Sequence, residues 1–158
     1  MDKTTAGLNE FLAISVPLTG YPRISLIATG MADAYLSTVR RITGEEMTNE
    51  YLTRTAVILD VVGGNEPALD REIRQQLLAS LKYGPLTRNI IQMWYWGAWL
   101  PLPPAWMAKY GKDVKGNENH FVSPEAYQQG LIWNAMGSHP EGSRQPGFAS
   151  WSIAPLPE

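Results

Sequence analysis

The chain has 158 residues, 44% of them hydrophobic and 18% charged, with a formal net charge of −2. Its length suits one domain with a core of its own, and the lack of a basic stripe argues against nucleic acid as a partner. With no cysteine, a disulfide framework, thiolate-bound zinc, c-type haem attachment and a thiol nucleophile are excluded together.

In "MDKTTAGLNEFLAISVPLTGYP" the apolar run is interrupted by Asn9, Glu10 and Pro17, so it does not read as a signal peptide. No stretch nears the roughly 18 apolar residues of a membrane helix, so direct membrane insertion is not expected. Residues 8–16 suit a short opening helix. Ile24, Ile27, Met31, Tyr35, Val39 and Ile42 then recur at three- and four-residue steps, which predicts one helix face. Gly44 is placed to close that helix. The next helix opens on Glu45 and Glu46, carries Met47, Tyr51, Leu52, Ala56, Leu59 and Val62 as its stripe, and stops at Gly63-Gly64. A third is marked by Leu69, Ile73, Leu77 and Leu81. A fourth starts at Pro85, suited to a first helical turn, and buries Leu86, Ile90, Met93 and Ala98.

Past residue 100 the character changes, for eight of the twelve prolines lie between Pro101 and Pro157. Residues 101–122 read as a long loop, including the solvated lysines 109, 112 and 115. Residues 123–136 form a helix capped by Ser123, with Pro124 in its first turn and Glu125 near its positive end. Residues 137–158 read as an extended tail carrying Phe148, Trp151, Ile153 and Leu156. No run alternates apolar and polar residues, so strands are minor at most. The expected architecture is all-α: one domain, 1–158, with a helical core over 1–100.

Catalytic chemistry is hard to locate. His120 and His139 lie in loop-like stretches without a partner at metal-pair spacing. "VVGGNEP" lacks the strand, third glycine and Lys-Ser pair of a nucleotide loop, and reads as a helix stop and a turn. Glu45-Glu46 and Asp70/Glu72 open helices, which the helix dipole explains without catalysis. No metal, cofactor or catalytic residue is assigned to this chain.

The excess is aromatic. "MWYWGAWLPLPPAW" (93–106) holds four of the six tryptophans and three prolines. Successive helical residues are about 100° apart, so Trp94, Tyr95, Trp96 and Trp99 cannot all face one core. The remainder suit either a sugar-stacking platform or anchors for a protein partner, since Trp and Tyr dominate binding hot spots. Their clustering at a helix end favours the partner. A charge content below the usual quarter agrees with a surface that something else covers. A small enzyme with an unrevealed site is the third reading.

"IIQMWYWG" (90–97), "SPEAYQQGLIW" (123–133) and "PGFASWSIAP" (146–155), in that order, resemble the small (gamma) subunit of bacterial membrane-bound flavin-dependent sugar and polyol dehydrogenases. The chain departs from that pattern in lacking a tail cysteine, and Arg40-Arg41 lie inside a helix rather than in an export motif. The resemblance implies a non-catalytic periplasmic subunit that binds and stabilises a large FAD-holding subunit of the glucose-methanol-choline oxidoreductase type. A membrane-anchored multihaem cytochrome c subunit would stand beside them. On this reading Trp96, Trp99 and Trp106, with Pro103 and Pro104 between them, meet the large subunit. Phe148, Trp151 and Pro155 either complete that surface or close the domain, while Trp94 and Trp133 belong to the core.

Overall fold

A computed structural model describes residues 3–140. Helices dominate: α1 (Lys3–Thr19), α2 (Arg23–Ala28), α3 (Ala32–Thr43), α4 (Glu45–Val62), α5 (Glu66–Glu72), α6 (Gly84–Trp96), α7 (Pro104–Tyr110), α8 (Pro124–Gln129) and α9 (Leu131–Ala135). A two-residue ribbon, β1 (Ala98–Trp99) with β2 (His120–Phe121), is antiparallel, pairing Ala98 with Phe121 and Trp99 with His120. The fold is all-α, as the apolar periodicity predicts.

Helix α1 packs against α2, α3, α4 and α6 and carries Phe11, Leu12 and Ile14 into the core. Trp94 of α6 stands at the centre. It stacks on Phe11 at 6.1 Å and meets the edge of Tyr35 at 4.9 Å. Its indole nitrogen is satisfied by Ser15 Oγ, 2.9 Å away, so the largest apolar side chain is buried without an orphan donor. Tyr51 reaches Thr87 in the same way at 3.1 Å. Tyr95, at the core's edge, donates to the carbonyl of Thr19 at 2.8 Å and so fastens the end of α6 to the end of α1.

Besides the helix expected over 123–136, which Gly130 (φ −54°, ψ 130°) splits into α8 and α9, three features depart from the periodic reading. The stripe from Ile24 to Ile42 is cut by Gly30, which takes a positive φ of 69° between α2 and α3. Only Leu26 of α2 is buried; Ile24 and Ile27 face outward, 72% and 48% exposed. The third helix passes into a π turn at Ile73–Leu78. Its spacing delivers Ile73 and Leu77 to the core, but the chain turns at Ser80, whose hydroxyl accepts from the amides of Lys82 and Tyr83. Leu81 is therefore 91% exposed. The third departure is the 101–122 stretch, which is not a plain loop. Pro103 and Pro104 open α7, a position where a missing N–H costs nothing, and the ribbon closes the rest.

Gly97 ends α6 with φ +69°. Its carbonyl accepts from Val122, and a Cβ there would stand 2.2 Å from the carbonyl oxygen of Ala126. Helix α8 thus lies directly on this glycine, and the Ser123 hydroxyl caps α8 through the amide of Ala126.

Candidate functional site

The aromatic stretch divides sharply. Trp96, at the last residue of α6, is 55% exposed, whereas Trp99 is 0% and Trp106 5% exposed. Trp99 lies in β1, where it turns inward and donates to Asn117 Oδ1 at 3.1 Å. Trp106 sits with Met107 on the inner face of α7 and donates to the carbonyl of Lys82 at 2.7 Å. The expectation that both are surface anchors is corrected by this: each indole is committed to the domain's own core, and between them Pro101, Pro103, Pro104 and Ala105 face outward. Trp94 is in the core as expected. Trp133 is only half-buried, its indole nitrogen donating to the carbonyl of Tyr127 at 2.8 Å. Phe148, Trp151 and Pro155 lie outside the described residues.

Asn117 organises the corner. Its Oδ1 accepts from both the Trp99 indole and the amide of Leu102, while its Nδ2 donates to the Leu102 carbonyl at 2.9 Å. Pro101 and Pro103 on either side have no N–H to offer, so one amide side chain makes the contacts that a neighbouring strand would otherwise make. From the other side, Asn89 binds both the amide and the carbonyl of Leu100. The proline-rich segment is thereby held flat against the domain.

Two residues that the sequence reading passed over complete the exposed aromatic surface. Phe121 of β2 is 57% exposed and meets the edge of Tyr127 of α8 at 5.5 Å. Tyr127 in turn meets Trp133 of α9 at 5.3 Å. Phe121, Tyr127 and Trp133 recur every six residues, a spacing that neither a helix nor a strand rule picks out. The rings meet only because the chain turns between β2 and α8 and again at Gly130. Trp96 precedes Gly97, which rests on the Ala126–Tyr127 backbone, so the end of α6 adjoins this corner.

Two clusters of titratable groups elsewhere are engaged structurally. Glu50 accepts from Lys82 Nζ at 2.5 and 2.6 Å and from the Tyr83 hydroxyl at 2.6 Å. The hydrogen bonds from Lys82 and then Tyr83 hold its carboxyl below the ordinary glutamate value. Desolvation, then the bond to Glu50, pushes the Tyr83 hydroxyl up to about 12. Lys82 also lies 5.7 Å from the Tyr83 ring centroid and 5.3 Å from that of Tyr110. Glu50, Lys82 and Tyr110 border a cleft of about 520 Å³ whose rim mixes Glu45 and Glu46 with Lys109 and Lys112, and so has no single sign. His120 stands between the carbonyl of Glu118, 2.7 Å from Nδ1, and Arg41, 3.3 Å from Nε2. Arg41 also pairs with Asp113 at 3.3 Å, so the histidine helps tie residues 113–121 to α3. Among the described residues, no group of three His, Asp or Glu side chains could hold a metal ion, and no helix is long and apolar enough to cross a membrane.

The described residues define an all-α domain with an exposed aromatic corner built on α6, β2, α8 and α9. Compared with protein-family models, curated proteins and solved structures, the chain matches none.

Proposed function

We propose that this chain is a non-catalytic subunit that binds a larger protein through the corner formed by Trp96, Phe121, Tyr127 and Trp133. The observation that carries the reading is the exposure of Trp96 and Phe121 at 55% and 57%, with Phe121 meeting Tyr127, and Tyr127 meeting Trp133, edge to face. Large aromatic side chains cost solvation when left in water and are the commonest anchors of protein interfaces. The corner is held at its backbone, because Gly97 rests on the Ala126–Tyr127 main chain and accepts from the amide of Val122. A rigid aromatic surface loses little conformational entropy on association.

The motif resemblance supplies the partner's class: a large FAD-holding dehydrogenase for a sugar or polyol, in the periplasm, with a multihaem cytochrome c subunit as the membrane-bound third member. In this proposal FAD and haem belong to the partners, and no residue of this chain handles either. Affinity purification of the tagged chain from its native host tests the reading. A co-purifying yellow protein with dye-linked sugar or polyol dehydrogenase activity is expected, and Trp96→Ala should weaken the complex at least about tenfold. Recovery of the chain alone and colourless under mild conditions would refute it.

A further inference from the structure

A second feature lies behind the aromatic corner and shares Trp133 with it. Helix α2, the α8–α9 turn and residues 138–140 enclose a cleft of about 480 Å³, within the size range of small-molecule sites. Its lining includes Ser25, Gln128, Gln129, Asn134 and Ser138, with Trp133 as the large ring and His139 at the end. No Asp, Glu, Lys or Arg is among the lining residues.

Most polar groups here are uncommitted. Among the described residues, the side chains of Ser25, Gln128, Gln129, Asn134 and Ser138 make no hydrogen bond, and the buried Nδ1 of His139 has no partner. Buried polar atoms are ordinarily satisfied, and one that is not calls for an explanation. Elsewhere in this fold comparable amides are used: Asn89 and Asn117 each bind both an amide and a carbonyl of the main chain. Three free amides and two free hydroxyls around one cleft are a different arrangement. An amide both donates and accepts, as a hydroxyl does, and the lining presents no charge to pair with an ion.

We propose that this cleft is a binding site for a neutral polyhydroxylated small molecule, a polyol or a saccharide. The amides of Gln128, Gln129 and Asn134 would bind its hydroxyl groups and Trp133 would cover its C–H face. Neutral lining discriminates against the corresponding acids, because a carboxylate entering the cleft would lose water without meeting a cation.

The test is a titration of the full-length ¹⁵N-labelled chain with sorbitol, maltose and gluconate, following the indole and side-chain amide resonances. Trp133 is assigned by its disappearance in Trp133→Phe. Saturable shifts of the Trp133 indole and of the three amides are expected with sorbitol or maltose, on the order of 1 mM in Kd, and weaker binding by gluconate. The linear polyol and the ring saccharide separate the two members of the class. Gln129→Ala/Asn134→Ala should weaken binding at least about tenfold while leaving the Trp94 indole resonance and the melting temperature unchanged. Absence of a saturable shift with either neutral probe up to about 50 mM would overturn the proposal, as would equal binding by the double variant.

Discussion

Gly97→Ala is the sharpest test of how this domain holds its corner. An alanine at φ +69° carries a left-handed backbone penalty of about 1–2 kcal/mol. Its Cβ would also stand 2.2 Å from the Ala126 oxygen, 2.4 Å from the Ala126 carbonyl carbon and 2.8 Å from the Tyr127 nitrogen. All three are backbone atoms at the head of α8, so no side chain can swing aside. Overpacking of this kind costs about 1–3 kcal/mol more. The sum, about 2–5 kcal/mol, is a large share of the roughly 5–15 kcal/mol that holds a typical domain together. Gly63→Ala is the matched control: Gly63 also has a positive φ, +57°, but nothing lies within 4 Å of its added Cβ. It should lose only the backbone penalty. Urea unfolding of both variants measures the difference, and the Trp133 indole resonance should move in Gly97→Ala alone. If Gly97→Ala is no less stable than Gly63→Ala, the close approach of α8 does not constrain the fold and the rigidity argued for the corner fails.

Trp99→Ala and Trp106→Ala should each destabilise the domain by about 3–5 kcal/mol, whereas Trp96→Ala should stay within about 0.5 kcal/mol; thermal melts compare them, and equal losses in all three would contradict the assignment of Trp96 to the surface. Stability should fall at alkaline pH, because burial raises the hydroxyl pKa of Tyr35 and of Tyr51 above the ordinary 10.0. Their contribution is complete below pH 10 and is lost as pH climbs toward the folded-state values, so tyrosinate absorbance from these two should appear together with unfolding, and earlier ionisation would count against their burial. At acid pH the sign reverses: the Glu50 pKa is lowered from 4.5, so its contribution is present above that value and lost as pH falls through the lower one. The pair is 43% and 31% exposed, which limits the effect to under about 1 kcal/mol, and Glu50→Gln should flatten the urea midpoint between about pH 5 and pH 3 by that amount.

The stripes of α3 and α6 are legible in the sequence because each has a long apolar face bounded by a stop or start residue of known geometry, Gly44 and Pro85. In α4 the reading holds for Met47, Tyr51 and Leu52, but beyond them Thr55 and Ile58 are buried rather than Ala56, Leu59 and Val62. Ser123 is equally legible as a cap. What misleads is periodicity continued across a glycine. Ile24 and Ile27 keep step with Met31 and Tyr35, yet Gly30 redirects the chain and turns them to water. The tryptophans show a different limit. Ring count says that some must leave the core, but not which ones, since the choice depends on Asn117 and the Lys82 carbonyl, partners 18 and 24 residues away from the indoles they receive. Phe121, Tyr127 and Trp133 escape notice for the same reason: their adjacency is made by two chain reversals and leaves no local period.

The bonds from Trp94 to Ser15 and from Tyr95 to Thr19 join residues 79 and 76 positions apart. During synthesis, at about 5–20 residues per second, α1 leaves the ribosome several seconds before α6 exists to receive Phe11. Until then its apolar face can meet only α2, α3 and α4, and the Ser15 hydroxyl has no indole to accept from. A nascent chain stalled before residue 94 would therefore present a three-sided bundle with an open wall. Chaperone binding should be concentrated in that interval and end when the tryptophan arrives.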